Sequence, residues 1–546
     1  MFFATPTRAF GATFPQGGGR GENHQRICDE GALPHGADTA VVTRGAEGRD
    51  RVLHCNWAPY FREPVVGGGI SVYVRGLLDH LHGRPDGLAP TFLYSGFDYS
   101  LVSDRLRVER VGNSRHPGLP TFSMVNSPVP APSLLAFGDP AGSVSQPALE
   151  GRFAEFLQRH GPFGVVHFHS LEGLTADCLR IAGQSGARVV FSLHNYWAVC
   201  PQVQLWQDET RPCTDFLEGR ACVSCLVDRV DTDLILAHRR LDGGAMLTPG
   251  SEPPFTTRAA AARFRSHRRR SSRHPLRAPF VLEGRDLPQL DRAYRRRRAD
   301  IVDLMNRHLD VALSVSQRTT EIYMGYGLDP RLVLTRYIGS KAAGFRVPDG
   351  NPATYAGGLF RLAYLGESRR DKGFFFLLDQ LRRWPVEELR RLELVVACRV
   401  TDPPELRMAA AGGGRLLSLA RSLGRLTYRP GYAQADLPDI LAGVHLGVVP
   451  ALWEDNLPQV ALELLGCRVP VLCSDRGGAR EFVRHPAFVF APGDDGDFSA
   501  KLRAVRDDPS LLADFWRQAR LPEPVEQHVD ELVEIYRSGG TAARAR

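Results

Sequence analysis

Long apolar runs are absent from this chain of 546 residues. No stretch approaches the roughly eighteen apolar residues of a membrane-spanning helix. The first residues, MFFATPTRAFGATFPQ, also lack an uninterrupted apolar core of signal-peptide length. These absences argue against a membrane-spanning or secreted protein, and we expect a cytoplasmic one.

Lysine is also scarce. The chain has three lysines, Lys341, Lys372 and Lys501, so its net charge of +7 comes from arginine. This balance favours anionic partners such as nucleotide-sugars, phospholipid head groups or nucleic acid. Two basic runs, SHRRRSSRHP and AYRRRRAD, could contact anionic lipid at a membrane surface, but we expect solvated loop and helix faces. Few aromatic residues lie among these arginines, which argues against a platform for single-stranded nucleic acid.

Cysteine is too sparse for a disulfide framework, since ten cysteines are spread over a long chain. Four of the ten nevertheless fall within twenty-six residues, at Cys200, Cys213, Cys222 and Cys225. One CxxC pair with two dispersed cysteines predicts an all-thiolate zinc site, with free thiols or a redox role as alternatives. Such a zinc ion would be structural, because four thiolates leave no open coordination position for chemistry.

The pattern of apolar residues divides the chain into segments. Residues 1–50 have little periodicity, and we predict a disordered leader there. From Arg51 onward, short apolar runs alternate with helical patterns, as in a parallel sheet covered on both faces. This alternation predicts an N-terminal Rossmann-like domain over residues 51–340. It breaks at about residues 196–299, where we predict a Cys- and Arg-rich insertion.

A second alternating set follows and predicts a C-terminal Rossmann-like domain over residues 341–520. Its predicted strands lie at 362–365, 392–397, 426–428, 446–449 and 469–473. The last amphipathic segment, VEQHVDELVEIYRS, predicts a terminal helix within residues 521–546. The predicted fold class is therefore α/β, with two Rossmann-like domains.

Residues 445–483, HLGVVPALWEDNLPQVALELLGCRVPVLCSDRGGAREFV, place two carboxylates around a helix start. After a buried strand, Pro458 is suited to the first helical position. Apolar residues then recur at helical spacing at Leu457, Val460, Ala461, Leu464 and Leu465. Asp455 thus lies just before the helix and Glu463 inside it. The unsatisfied amides at the helix start would attract a diphosphate between them, an arrangement that suits a nucleotide-sugar.

This segment resembles the donor-binding segment of retaining GT-B glycosyltransferases of family 4, the group 1 glycosyl transferases. That family has Glu, seven residues, Glu, then a strand and a Ser-Asp-x-Gly-Gly turn; here the pair is Asp455 and Glu463. The resemblance implies that Glu463 holds the ribose hydroxyls and that Asp455 faces the transferred sugar. It also implies donor contacts from the helix start and the glycine turn, at Leu457, Gln459, Val460, Gly477 and Gly478.

The segment LAYLGESRRDKGFFFLLDQL resembles the second phosphate-binding element of the family. Gly366 ends a predicted strand, and Lys372 precedes the glycine that opens the next helix. The resemblance implies that Lys372 is a cationic partner of the diphosphate. Glu367 stands where the family usually has Arg, so we expect a neighbouring arginine, with Arg370 as the choice over Arg369, to supply that charge.

Two first-domain features also resemble the family. Gly68 and Gly69 belong to a loop after the first strand that, by resemblance, approaches the donor phosphates and the acceptor. Glycine suits such a loop because the backbone comes close to the ligand. His194 follows a predicted strand and matches the family histidine beside the reacting sugar. His169 is a weaker candidate, and His167 is predicted to be structural.

The resemblance implies a metal-independent glycosyl transfer of the hexosyltransferase type with retention of configuration, across a cleft between the two domains. His194, Asp455 and Lys372 are the predicted catalytic residues. The donor would be a UDP-, GDP- or ADP-sugar, and the acceptor a saccharide or a lipid-linked molecule in polysaccharide or glycolipid biosynthesis. Peripheral contact with the inner membrane face would accompany a lipid-linked acceptor, and no nucleic-acid partner is expected. Two alternatives stay open: a non-catalytic GT-B-like binding protein and an arginine-rich nucleic-acid-binding protein.

Overall fold

The structure is a computed structural model that describes residues 50–63, 65–100, 102–226, 229–241, 286–345, 358–399 and 415–538. Contact clustering separates Met1–Gly45 from Ala46–Arg546, and the first of these units lies outside the described residues. The predicted leader therefore lies outside them as well, apart from Asp50. Everything below concerns the second unit.

The first lobe is built on a large, mostly parallel sheet. Its described strands are β1 Arg51–Asn56, β2 Ala89–Ser95, β3 Arg107–Arg110, β4 Thr121–Val125, β5 Ala136–Phe137, β6 Val165–Phe168, β7 Arg188–Leu193, β8 Trp206–Gln207, β9 Arg211–Pro212, β10 Val230–Asp231, β11 Val311–Ser314 and β12 Val333–Thr335. Eight of them form the sheet, in the order β12-β11-β7-β6-β1-β2-β4-β3. Only the β3–β4 pair is antiparallel.

Helices cover both faces of this sheet, which explains why its central strands are continuous apolar runs. They are α1 Gly68–Leu81, α2 Pro147–His160, α3 Cys178–Gln184, α4 Arg220–Leu226, α5 Thr232–Leu241, α6 Leu287–His308 and α7 Gln317–Gly325. The strands predicted at 52–55, 91–94, 165–168, 189–193 and 311–315 are all confirmed to within two residues. So is the helix predicted to end near His308.

The second lobe contains a fully parallel sheet. Its strands are β13 Phe360–Glu367, β14 Leu392–Arg399, β15 Arg425–Arg429, β16 Leu446–Val449, β17 Val471–Ser474 and β18 Val489–Phe490. Their order, β15-β14-β13-β16-β17-β18, is the 3-2-1-4-5-6 order of a Rossmann sheet. The sheet reverses direction between β13 and β16, and ligands of such folds bind at the carboxyl ends of the strands at that point. All five strands predicted here are confirmed.

Short helices surround the second sheet. They are α8 Phe374–Arg382, α9 Val386–Leu389, α10 Arg415–Ala420, α11 Leu437–Leu441, α12 Gln459–Gly466, α13 Arg480–Val483, α14 Asp495–Asp507 and α15 Ser510–Gln518. The helix start predicted at Pro458 is wrong by one residue: Pro458 is the N-cap of α12, with an extended ψ of 118°. Proline loses no backbone donor at this position, because the first amides of a helix have no partner within it.

The terminal helix α16, Val525–Arg537, packs against the first lobe as the family resemblance implies. Glu526 accepts a hydrogen bond from His80 at 2.8 Å, and Asp530 pairs with Arg84 at 2.7 Å. Tyr536 lies 2.7 Å from the Nδ1 atom of His167 in β6. The end of the chain therefore joins the two lobes.

The segment predicted as an insertion is more integrated than expected. Trp197 and Trp206 are buried in the core beneath the first sheet, and α6 begins at Leu287, twelve residues before the predicted end of the insertion. The run AYRRRRAD lies within α6, where Arg295 and Arg296 are exposed but Arg297 and Arg298 are buried. A fully solvated interpretation is therefore wrong for half of this run. The run SHRRRSSRHP lies outside the described residues.

Candidate active site

A cavity of about 550 Å³ lies between the lobes, at the carboxyl ends of the strands of both sheets. This volume is typical of a small-molecule site. Ten of the predicted site residues line it: Gly68, Gly69, His194, Gly366, Lys372, Asp455, Leu457, Gln459, Val460 and Glu463. The structure thus brings together residues that are up to 395 positions apart in the chain.

The start of α12 forms one wall of the cavity. Asp455 lies in the loop before it, and Glu463 lies within it; both carboxylates are buried, at 6% and 4% exposure. Gln459, the first residue of α12, donates a hydrogen bond to the carbonyl of Gly69 at 2.7 Å. This bond joins the helix start directly to the glycine loop of the first lobe, so both sides of the cavity meet there.

Lys372 and Asp455 form an ion pair in the cavity, with 2.6 Å between Nζ and Oδ2. The ammonium also lies 5.0 Å from the centre of the Trp453 ring. Burial alone would lower the pKa of Lys372, but the carboxylates of Asp455 and Asp371 outweigh it and raise this pKa above its usual value. Lys372 is therefore a stable cation at neutral pH, already paired with the residue predicted to face the sugar.

Glu463 is held by neutral donors. Its two oxygens accept hydrogen bonds from the Tyr432 hydroxyl at 2.6 Å and from the Gln434 amide at 3.0 Å. Burial raises the pKa of the Glu463 carboxyl, and these two bonds offset part of the rise. Tyr432 and Gln434 also line the cavity. The sequence analysis missed both, although they follow the end of β15, an edge where ligands of such sheets bind.

The glycine loop precedes α1. Gly67 is its N-cap with a φ of +93°, and Gly68 has a φ of +62°, so both adopt the left-handed conformation that glycine favours. A Cβ atom at Gly67 would lie 2.2 Å from the Ser71 hydroxyl. The loop therefore requires glycine for its own geometry, and it brings the first amides of α1 to the cavity.

His194 lies at the opposite wall, where β7 ends. Its side chain is buried, and its Nε2 atom has no hydrogen-bond partner among the described residues. Burial, with a smaller contribution from His528, lowers the pKa of His194 to about 3. The ring is therefore neutral at physiological pH and can bond a hydroxyl group, but it cannot act as a cation there.

Glu172 is a further carboxylate at this wall that the sequence analysis missed. It is 3% exposed and accepts hydrogen bonds from the backbone and hydroxyl of Ser133 and from Asn195. Burial raises the pKa of the Glu172 carboxyl, and the Ser133 and Asn195 bonds offset part of the rise. Its position after the His-x-His run of β6 was the available signal, because that strand ends at the same edge as β7.

Three predicted donor-binding residues do not line the cavity. Arg370 is exposed to solvent, and Arg369 faces the cavity instead, paired with Asp371 at 2.8 Å and with Glu367 at 3.4 Å. Gly477 and Gly478 lie behind the loop of Asp455. Gly478 donates its amide to the Asp455 carbonyl at 2.9 Å, and a Cβ atom at Gly477 would lie 1.9 Å from that carbonyl. The glycine turn therefore supports Asp455 from behind.

Glu454, next to Asp455, is another residue that the sequence analysis missed. It forms a bidentate ion pair with Arg318 of the first lobe, at 2.9 and 3.0 Å, and accepts the amide of Gly477. Burial alone would raise the pKa of this carboxyl, but Arg318 and the Gly477 amide bring it below its usual value. Glu454 thus fixes the Asp455 loop to the first lobe.

The remaining predicted residues lie away from the cavity. His169 is buried and stacks between His54 and His194, and His167 bonds Ser192 and Tyr536, which agrees with its predicted structural role. The four clustered cysteines, Cys200, Cys213, Cys222 and Cys225, lie in the segment after β7 and do not line the cavity. Zinc binding there stays a prediction.

Comparison with known proteins supports the second lobe most directly. The family model described as Glycosyl transferases group 1 matches residues 360–508. No curated protein matches the chain. None of the helices in the described part of the chain is long and apolar enough to cross a membrane.

Solved structures with the same fold cover nearly all of the chain. Anabaena Alr3699/HepE in complex with UDP has a TM-score of 0.52 and 13% identity, over 89% of this chain and 100% of that one. Sucrose-phosphate synthase (tll1590) from Thermosynechococcus elongatus has a TM-score of 0.51 and 13% identity, over 90% and 99%. The α,α-trehalose-phosphate synthase of Burkholderia xenovorans has a TM-score of 0.51 and 12% identity, over 89% and 99%. The chain therefore has the two-lobed GT-B fold and carries a Glycosyl transferases group 1 domain in its second lobe.

Proposed function

We propose that this protein is a retaining, family 4 glycosyltransferase that moves a hexose from a nucleoside-diphosphate sugar to an acceptor in the interlobe cavity. The observation that carries the proposal is the convergence of Lys372, Asp455 and Glu463 with the start of α12 and the glycine loop of α1. These groups supply a cation, two carboxylates and the unsatisfied amides of two helix starts. A nucleoside diphosphate with a sugar at one end needs each of them.

The donor would lie along α12. Glu463 would accept the two ribose hydroxyls, while the diphosphate would lie at the helix start and meet Lys372. Complex formation of HepE with UDP supports a uridine nucleotide as the first donor to test, ahead of GDP- and ADP-sugars. Because Tyr432 and Gln434 already bond both oxygens of Glu463, its carboxylate is oriented before the donor arrives.

The transferred sugar would face the first lobe. Asp455 would bond its hydroxyls from one side and His194 from the other, since the Nε2 atom of this neutral ring has no partner among the described residues. Glu172, next to Asn195, is placed to contact the acceptor. Two further carboxylates at this wall would suit hydroxyl-rich acceptors, because ionised carboxylates accept hydrogen bonds from sugar hydroxyls.

Catalysis would depend on electrostatic stabilisation of the departing nucleoside diphosphate. Lys372 would exchange its Asp455 partner for the diphosphate, and the amides at the start of α12 would add further donors. Positive groups that are fixed before the reaction stabilise the developing charge without reorganisation. We infer no protein nucleophile and no required metal for this step. Closure of the lobes would exclude water and protect the donor from hydrolysis.

A saccharide or lipid-linked acceptor would place the reaction in polysaccharide or glycolipid biosynthesis, in the cytoplasm or at the inner face of the membrane. In the described part of the second basic run, Arg295 and Arg296 are exposed and could contact anionic lipid, although Arg295 also pairs with Glu218 at 2.7 Å. Arg297 and Arg298 are buried and cannot contribute to such a surface. Their burial also weakens the nucleic-acid-binding alternative.

A non-catalytic binding protein is the second candidate, and the charges of the cavity favour it. Its lining contains the cations Lys372 and Arg369 but four carboxylates, those of Glu172, Glu367, Asp455 and Glu463. Each cation is already paired with a carboxylate. An anionic donor must therefore compete with internal ion pairs, which weakens binding and would slow turnover.

The small number of lysines gives a matched test. Lys372→Ala removes the cation of the cavity, whereas Lys501→Ala removes a lysine of α14 that pairs with Asp497 and lies outside the cavity lining. Thermal-shift assays with UDP-, GDP- and ADP-sugars identify the donor, because ligand binding stabilises the folded state. Donor hydrolysis or transfer is then measured for both variants.

A glycosyltransferase predicts turnover that Lys372→Ala abolishes and Lys501→Ala preserves. Donor binding without hydrolysis or transfer to any acceptor of a saccharide panel would support the non-catalytic candidate. If none of the nucleotide-sugars stabilises the protein, both candidates are wrong.

A further inference from the structure

Four cysteine side chains meet beneath the first lobe, in the segment that follows β7. Cys200 lies in the turn after His194, Cys213 directly follows β9, and Cys222 and Cys225 lie three residues apart on α4. Cys200 and Cys222 are buried, and the other two are half-buried. The fold thus collects thiols from a turn, a hairpin and a helix.

The four thiols are close enough to influence one another. Burial raises the pKa of Cys213 to about 11 and the pKa values of Cys222 and Cys225 to about 12, and Cys200 adds to the rise in all three. The Sγ atom of Cys225 also accepts the backbone amide of Asp208 at 3.3 Å. A bond of this kind favours a thiolate, because the amide donates to the charged form.

Two buried arginines of α6 adjoin this cluster. Arg297 donates to Ser143 and to the carbonyls of Trp197 and Ala198, and Arg298 donates to the carbonyl of Val199 at 2.5 Å. The ring of Phe216 lies 3.6 Å from the Arg298 guanidinium. Neither arginine pairs with a carboxylate among the described residues.

Buried cations without anionic partners are costly, and fully buried arginine is rare unless paired. The groups that surround Arg297 and Arg298 are carbonyls, aromatic rings and the four thiols. Electrostatic contacts join Arg297 to Cys200 and Cys222, and Arg298 to Cys213 and Cys222. If the thiols are neutral, the two positive charges have no counterion in this region.

We propose that Cys200, Cys213, Cys222 and Cys225 bind one zinc ion and that Arg297 and Arg298 are the counterions of the resulting complex. Four thiols bind Zn²⁺ with release of four protons, which leaves a tetrathiolate centre of charge −2. The two guanidinium groups carry +2, so the site is neutral as a whole. The charge of the cluster in the sequence and the buried arginines of a distant helix are thereby explained together.

The backbone of the segment supports an added constraint. Nine non-glycine residues of the described chain have a positive φ, and six of them lie in this segment: Val203, Leu205, Asp208, Glu209, Leu217 and Glu218. Such conformations are unfavourable for residues with a Cβ atom and persist only where surrounding contacts hold them. A metal ion bonded at both ends of the segment would hold it.

Ligation requires the thiols to turn inward. No three of the four sulfurs lie within 4.8 Å of one another in the described residues, and the roughly 2.3 Å Zn–S bonds of a tetrahedral centre bring sulfurs closer than that. Half-buried Cys213 and Cys225 have the space to rotate. The set that does meet this limit is His54, His167 and His169, but both ring nitrogens of His167 already bond Tyr536 and Ser192.

The site would also act on the cavity. Val203 and Gln204 lie between Cys200 and Cys213 and line the cavity, and Gln204 bonds Asp371 of the second lobe at 3.0 Å. Zinc would therefore fix a part of the cavity wall from below. This inference does not depend on glycosyl transfer, because it concerns the thiols and arginines alone.

The first measurement is the zinc content of the full-length protein, purified under reducing conditions without chelators. We expect one zinc ion per chain, and we expect a thiol-specific mercurial to release it from the wild-type protein. Cobalt substitution should produce a sulfur-to-metal charge-transfer band, which histidine ligands do not give. A metal-free protein, a disulfide between any of the four cysteines, or cobalt spectra without that band would overturn the proposal.

Matched double variants locate the metal. Cys222→Ala with Cys225→Ala should lose the zinc, whereas Cys178→Ala with Cys398→Ala, which removes two buried cysteines outside the cluster, should retain it. Retention of zinc in the first variant and loss in His167→Ala would assign the metal to the histidines instead.

The role of the arginines needs a separate comparison. Arg298→Lys keeps the charge and should hold zinc at near wild-type affinity, while Arg298→Met should weaken zinc binding about tenfold or more, as measured by competition with a chelating dye. Equal zinc affinity in the two variants would refute the counterion role.

Discussion

The two walls of the cavity differ in how far their polar groups are satisfied. On the second-lobe wall, Lys372 pairs with Asp455, Arg369 pairs with Asp371, and both oxygens of Glu463 accept hydrogen bonds. On the first-lobe wall, the Nε2 atom of His194 has no partner among the described residues, and the glycine loop presents backbone without side chains.

This difference suggests a division of work between the walls. Paired groups on the second lobe are held in fixed positions, which suits a nucleotide that is the same in every turnover. The first lobe keeps an unpaired donor-acceptor ring and a bare loop, which suits contacts that form only when the sugar and acceptor arrive. Variants of the second wall should therefore weaken donor binding, and variants of the first should slow transfer after the donor is bound.

The largest effect is expected for Glu463→Ala. It removes the carboxylate predicted to hold the ribose and leaves Tyr432 and Gln434 without their partner. Loss of hydrogen bonds to a charged group should lower donor affinity about 100-fold, measured by calorimetric titration with the nucleotide-sugar. Glu387→Ala, at an exposed position of α9, is the matched control. Unchanged affinity in Glu463→Ala would contradict the placement of the ribose.

A somewhat smaller effect is expected for Gly477→Ala. Its φ of +69° is unfavourable for alanine, and the added Cβ atom would lie 1.9 Å from the Asp455 carbonyl. The change should lower the free energy of unfolding by about 3 kcal/mol and displace Asp455. Gly493→Ala has a φ of +103° but no atom within 4 Å of the added Cβ, so it should cost only about 1 kcal/mol. Chemical denaturation measures both; equal losses would show that steric contact with Asp455 does not matter.

His194→Ala tests the first-lobe wall. We expect kcat to fall about tenfold to 100-fold, because a bond to the transferred sugar is lost, with donor affinity unchanged. His82→Ala, at an exposed position, should change neither quantity. The comparison between the walls fails if His194→Ala weakens donor binding as strongly as it slows transfer.

The smallest effect is a pH dependence of Glu463. Burial raises its pKa above the ordinary value of 4.5, so donor affinity should decline on the acid side with a midpoint above that value. Stability should change in the opposite sense: a raised carboxyl pKa favours the folded state at low pH, and this advantage is lost as the pH rises through it. Glu463→Gln should remove both trends in titrations followed by calorimetry and thermal unfolding. A midpoint at or below 4.5 would contradict the burial of this carboxyl.

Local patterns in the sequence were sufficient for much of the fold. Buried parallel strands are short apolar runs, and all five strands predicted in the second lobe are present. The position of Asp455 before a helix and Glu463 within it also follows from helical spacing. The error at Pro458 is a single residue, because proline is acceptable both as cap and as first helical residue.

Longer-range features could not be predicted in this way. Arg369 and Arg370 are neighbours, and only the direction of the chain at the end of β13 decides that Arg369 faces the cavity. Tyr432 and Gln434 reach Glu463 from a loop about thirty residues earlier. The run AYRRRRAD looked uniformly solvated, yet α6 turns Arg297 and Arg298 toward the core and the cysteine cluster.

The sequence by itself determined which residues form strands and helices and which carboxylates flank the start of α12, because both depend on periodicity over a few residues. Tertiary structure alone decided how the charges are paired: Lys372 with Asp455, Glu454 with Arg318, and the buried arginines with the thiols. The physical reason is that electrostatic interactions and hydrogen bonds depend on distance in space and on burial, and both are set by how the two lobes pack.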